Sequence, residues 1–154
     1  MKRVETICES WEGTRYMRGQ CRRGAGVDCF RFVGAVLAEL EGKEQPELPR
    51  VASDIGYHDE AGSRRAAAAL LRLFAPVVDV DPADGIEAGD LVLGRSVGGG
   101  PAHAFIVGGR PGLWHAHHPR VMRSGLSISE FRLEVDRVYR MGDRTERLLR
   151  GALS

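Results

Sequence analysis

Cys29 follows Gly26-Val27-Asp28 and opens an apolar run in which Cys29, Phe32, Val33, Val36, Leu37 and Leu40 recur at helical spacing. The spacing predicts a core helix over 29–40, with Cys29 in its first turn and Gly42 as the C-terminal stop. A thiol placed there meets unpaired backbone N–H groups and the positive end of the helix dipole, which favour the nucleophilic thiolate. The same residue could equally be a buried structural cysteine, the commonest fate of a free thiol. A base decides between the two readings. His103 starts the apolar stretch His103-Ala104-Phe105-Ile106-Val107, a rigid place from which an imidazole can meet a sulfur on a distant helix. His115 stands in Leu113-Trp114-His115-Ala116, and a hairpin turning through the glycines at 108, 109 and 112 sets the two histidines on adjacent strands. The second imidazole can then orient the first.

Those three side chains need a helix and a sheet to hold them. After Pro82 the sequence turns to short apolar runs separated by glycine, at 90–93, 102–107, 113–116 and 120–123, with a last strand expected over 133–141. Further helices are expected over 63–74, with Ser63 as its cap, and 127–131, and a short amphipathic end over 145–154. Helices first and a meander of strands second indicate an α+β fold, its helices packed on a small antiparallel sheet.

At 154 residues and 43% hydrophobic composition the chain reads as one domain, 1–154, with no internal repeat. Charged residues at 28% exclude wholesale disorder, and a net charge of +1 provides no field for nucleic acid or anionic lipid. Three cysteines, Cys8, Cys21 and Cys29, are too few and too odd in number for a disulfide framework. Of these, Cys29 is expected to be the most acidic and most reactive, with Cys21 competing through exposure. The N-terminus meets acid at once with no apolar stretch for a secretory signal, and the stretch from Ala66 to Phe74 is too short to span a bilayer, so synthesis in the cytoplasm without membrane insertion is expected. His115-x-His117-His118 offers imidazoles to a metal, but no Asp, Glu or Cys lies near enough in sequence to complete a site. The expectation is no metal and no cofactor.

Five motifs come in one order: Trp11-x-Gly13-Thr14-x-Tyr16, Gly26-Val27-Asp28-Cys29, Gly89-Asp90-Leu91-Val92, His103-Ala104-Phe105-Ile106-Val107-Gly108 and Trp114-His115-Ala116. In that order and spacing the chain resembles the NlpC/P60 cysteine peptidases over residues 4–139. With Arg120-Val121-Met122-Arg123 and Tyr139-Arg140, it looks most like the subgroup found in the tails of bacteriophages and phage-derived particles. The resemblance implies a papain-like fold in which Cys29 attacks an amide carbonyl, His103 moves the proton and His115 holds the ring of His103. It also implies that Tyr16 and the Cys29 N–H steady the oxyanion, and that Asp28 receives the free amine of a peptidoglycan stem peptide. Tyr16 reads equally as a core tyrosine, and Asp28 as a helix cap. Where relatives commonly read Asp-Cys-Ser-Gly, this chain has Asp28-Cys29-Phe30-Arg31, bulk and charge beside the nucleophile.

The expected function is therefore a cysteine hydrolase cutting stem-peptide amide bonds, carried in a phage-like tail beside other tail proteins. The alternatives are a structural tail adaptor or plug that keeps the fold without its activity, and an acyltransferase using the same thiol.

Overall fold

The computed structural model describes residues 2–40, 42, 77–96, 103–109, 112–125 and 133–141. The helices expected over 63–74 and 127–131, and the chain end over 145–154, lie outside the described residues.

Helix α1 (Lys2–Trp11) leads into a two-stranded hairpin, β1 (Cys21–Arg22) and β2 (Gly26–Val27), and then α2 (Cys29–Leu40). The strands β3 (Val77–Val80), β4 (Leu91–Ser96), β5 (His103–Val107), β6 (Leu113–His117), β7 (Arg120–Ser124) and β8 (Leu133–Met141) form one sheet, in the order β3-β8-β4-β5-β6-β7. Every pairing between neighbours is antiparallel. The architecture is α+β, as expected, with α2 spanning the residues its periodicity indicated. Helix α1 is an addition to the elements expected from the sequence: Val4, Cys8 and Trp11 stand at spacings of four and three and are fully buried. Strand β3 is another, paired with β8 at the sheet edge.

Alternation along the strands gives the sheet two apolar faces. Leu91, Leu93, Ala104, Ile106, Trp114, Ala116 and Val121 form one cluster with α1 and α2. Val92, Phe105, Leu113 and Val138 form a second cluster with Val80, Val107 and Leu133. Helix α2 is apolar on all sides because α1 covers what the sheet does not, and only Glu39 of its residues escapes full burial. At about 1.5–3 kcal/mol for each large side chain taken from water, Phe32, Val36, Leu37 and Leu40 make this helix the centre of the core. Trp11 fixes the crossing of the helices: its ring meets Phe32 edge-on at 6.2 Å and its indole N–H donates to Glu39 Oε1 at 3.2 Å.

Two buried carboxylates tie the elements together. Glu5 on α1 accepts from the Gly109 N–H at 2.9 Å and from Trp114 Nε1 at 3.2 Å, which anchors the β5–β6 hairpin to the first helix. Asp90 accepts a two-pronged bond from Arg140, Nε and Nη2 each at 2.9 Å, and locks β8 against the start of β4. At Gly112, φ is +145° and a Cβ would stand 2.9 Å from the Ser124 carbonyl oxygen, so the turn into β6 admits only glycine.

Candidate active site

Asp28 begins the site because it stops the chain before α2. Its Oδ1 accepts from the Arg31 N–H at 2.9 Å, an N-cap bond, and its Oδ2 accepts from the Gly19 N–H at 2.8 Å. The Arg31 guanidinium folds back on the same Oδ2 at 2.5 Å, with Asp28 wholly buried and Arg31 only 3% exposed. The bulk and charge that the sequence sets beside Cys29 are thus taken inside, with Phe30 in the core and Arg31 paired with Asp28.

Cys29 is the first residue of α2 and 4% exposed. Its sulfur receives the backbone N–H groups of Ala104, Phe30 and Cys29 itself, so the helix end does favour the thiolate. Burial outweighs them: together with the Asp28 carboxylate it pushes the thiol up to about 12. Burial thus works against the acidic thiol expected from the sequence and favours the neutral thiol at rest. Cys21, half-buried on β1, is pushed up to about 11, again chiefly by burial, and burial raises Cys8 further still. Iodoacetamide near pH 8 is accordingly expected to label Cys21 first, followed by peptide mapping. Faster labelling of Cys29 would show that burial does not govern its reactivity.

The two histidines meet as their strands require. β5 and β6 pair through Ile106–Trp114 and Val107–Leu113, which aligns His103, Phe105, His115 and His117 on one face. His103 Nε2 lies 2.8 Å from His115 Nδ1, and Phe105 stands edge-on to His103 at 4.7 Å and stacks on His115 at 5.1 Å. His117 completes a group of three rings, 5.2 Å from His103 and 5.5 Å from His115. The period of two along β6 puts His117 on the same strand face as His115, and only the β5–β6 register joins it to His103.

Burial first, then the neighbouring imidazoles, lower His103 to about 3, and burial with His117 lowers His115 to about 4. Both are neutral near pH 7. An unfolded chain takes up these protons from about pH 6.5 downward while the folded one does not, so the stability they contribute is present above 6.5 and lost as pH falls. Urea unfolding between pH 6.5 and 4.5 is expected to show falling stability, with a shallower fall in a His103→Asn/His115→Asn variant. An unchanged slope in that variant would assign the acid sensitivity to other groups.

Tyr16 is held beside the thiol by a clamp of backbone bonds. The Met17 N–H donates to Val27 O at 3.0 Å, the Val27 N–H to Arg15 O at 2.9 Å and the Tyr16 N–H to Pro119 O at 2.9 Å. At Gly26 a Cβ would fall 2.9 Å from Met17 Cβ, an atom fixed to the backbone, so the β2 end of the clamp closes around glycine. Tyr16 stacks on His118 at 6.1 Å on its other side. Burial, then the charges of Cys29 and Asp28, raise its phenol to about 12, which keeps it a hydrogen-bond donor.

Cys29 and His103 approach through the backbone, since the sulfur lies on the N–H of Ala104, the residue after His103. Among the described residues no hydrogen bond joins the Cys29 sulfur to a His103 nitrogen.

No family model and no curated protein matches the chain. Among solved structures it is similar to NlpC1 from Trichomonas vaginalis, at 15% identity and a TM-score of 0.58, covering 90% of this chain and 42% of that one. It is also similar to the NlpC/p60 domain of the peptidoglycan hydrolase SagA, at 21% identity and a TM-score of 0.56, covering 91% and 97% of the two chains. The chain has the α+β fold of NlpC/P60 domains. Among its described residues no helix is long and apolar enough to cross a membrane.

Proposed function

We propose that the chain is a cysteine hydrolase of the NlpC/P60 type that cleaves an amide bond in the peptide stems of peptidoglycan. The observation that carries this reading is the His103–His115 pair at 2.8 Å, on the strand whose Ala104 N–H meets the Cys29 sulfur at the head of α2. SagA, one of the proteins similar in fold, is a peptidoglycan hydrolase, which supports the substrate class.

With both groups neutral at rest, the chemistry proceeds by general-base catalysis rather than from a standing ion pair. His103 Nδ1 takes the thiol proton as sulfur bonds to the carbonyl carbon, while its Nε2–H donates to His115 Nδ1 and holds the ring in that tautomer. The contact between sulfur and imidazole tightens on substrate binding, a common behaviour of catalytic hydrogen bonds that are long in the free enzyme. The Tyr16 hydroxyl and the Cys29 N–H steady the oxyanion. The amine leaves with the proton from His103, and water, deprotonated by the same ring, releases the acid from the thioester and returns the proton to sulfur.

Asp28, assigned by resemblance to the substrate amine, already serves Arg31 and Gly19. An amine reaches it only by displacing the Arg31 guanidinium, so its part in this chain is to fix the first turn of α2. The stretches of β7 and β8 that resemble tail-borne relatives support a setting in a phage-like tail, in contact with other tail proteins. The separation of Cys29 from His103 favours a second reading, a tail adaptor that keeps the fold without cleavage.

Mass spectrometry of muropeptides incubated with the purified chain tests both. Cleaved stem peptides are expected from the wild type, about 10²- to 10⁴-fold less from His103→Ala, and an intermediate yield from His115→Asn, whose amide still accepts the orienting bond. No cleavage by the wild type would leave the adaptor.

A further inference from the structure

We propose that His103, His115 and His117 together form a binding site for a zinc-class divalent transition ion. The fold brings together one imidazole from β5 and two from β6, with a ligand atom from each inside a span of 4.8 Å. A tetrahedral ion with nitrogens at about 2.0–2.1 Å needs them about 3.4 Å apart. The His103–His115 pair at 2.8 Å must open by roughly half an ångström to reach that spacing, and His117 must close in by about an ångström or more.

The chemistry of the donor set suits such an ion. Imidazole nitrogens select zinc-class metals over calcium or magnesium, and three of them leave a fourth position for water. All three rings share one strand face, with Phe105 against His103 and His115, so the set is largely pre-arranged. His117 is exposed while His115 is buried, which gives the ion an entrance from solvent and an interior seat.

Occupancy takes His103 out of its bond with His115. If the hydrolase reading holds, on which this consequence alone rests, the ion switches cleavage off reversibly.

Calorimetric titration of the reduced full chain with Zn²⁺ tests the site without reference to activity. One equivalent is expected to bind the wild type, His117→Ala to weaken binding at least about tenfold, and His118→Ala to leave it unchanged. Equal affinity in the wild type and His117→Ala, or equal weakening by His118→Ala, would overturn the site. Muropeptide cleavage by the wild type is expected to fall with the calorimetric midpoint, while cleavage by His117→Ala, measured against its own metal-free rate, resists the metal. Zinc binding with no cleavage even by the metal-free wild type would retire the hydrolase reading and keep the site. Cleavage that persists in the zinc-saturated wild type would overturn the switch.

Discussion

Replacing Cys29 by alanine is expected to abolish stem-peptide cleavage, by at least about a thousandfold, while the domain stays folded. In the proposed reaction the sulfur is the atom that bonds to the carbonyl carbon, and neither Cys8 nor Cys21 can substitute. Cys8 is buried on α1, and the Cys21 thiol faces the Arg31 carbonyl oxygen at 3.8 Å. Losing one sulfur from the core costs about 1 kcal/mol, a fall of roughly 2–4 °C in Tm. Cys29→Ser is expected to be as inactive and closer to wild type in stability, because its hydroxyl still accepts the N–H groups of Ala104 and Phe30. Product yield by mass spectrometry and a thermal melt measure the two halves separately. An alanine variant cleaving within a few-fold of wild type would remove Cys29 from the mechanism.

Arg31→Ala is expected to be the most destabilising single change near the site, by about 3–5 kcal/mol, or roughly 6–20 °C in Tm. Asp28 is 0% exposed, so without the guanidinium its carboxylate remains a buried charge with only backbone N–H partners. That charge lies beside Cys29 and already raises its thiol, so the loss bears on thiol reactivity as well as on folding. The double variant Asp28→Asn/Arg31→Met is expected to recover much of the stability, since a neutral amide can still cap α2 and the apolar chain fills the space. Urea unfolding of the single and double variants decides the matter. A single variant within 1 kcal/mol of wild type would mean that the pair is not the keystone of the α2 start.

The two substitutions draw on different kinds of information. That residue 29 heads a helix is a local matter of apolar spacing and a capping aspartate, and it was legible in the chain. So was the meeting of His103 and His115, because a glycine-rich turn of fixed length between two period-2 strands leaves little freedom in register. Helix α1 was legible too, in Val4, Cys8 and Trp11, but its polar residues concealed the pattern. The inward turn of Arg31 had no such mark, since an arginine on a helix ordinarily faces water.

The amino-acid sequence by itself therefore determined the α+β class, the span of α2, the β5–β6 hairpin and the meeting of His103 with His115. All of these follow from periods of 3.6 and 2 and from short-range turn geometry, which neighbouring residues impose on one another. Only the tertiary structure decided that the Cys29 thiol rests protonated, that Asp28 is occupied by Arg31, that Tyr16 is clamped between Val27 and Pro119, and that His117 joins the other two imidazoles. Each of these depends on desolvation or on partners brought from distant positions. What covers a residue, and what hydrogen-bonds to it across the fold, is a property of the packed chain rather than of any segment.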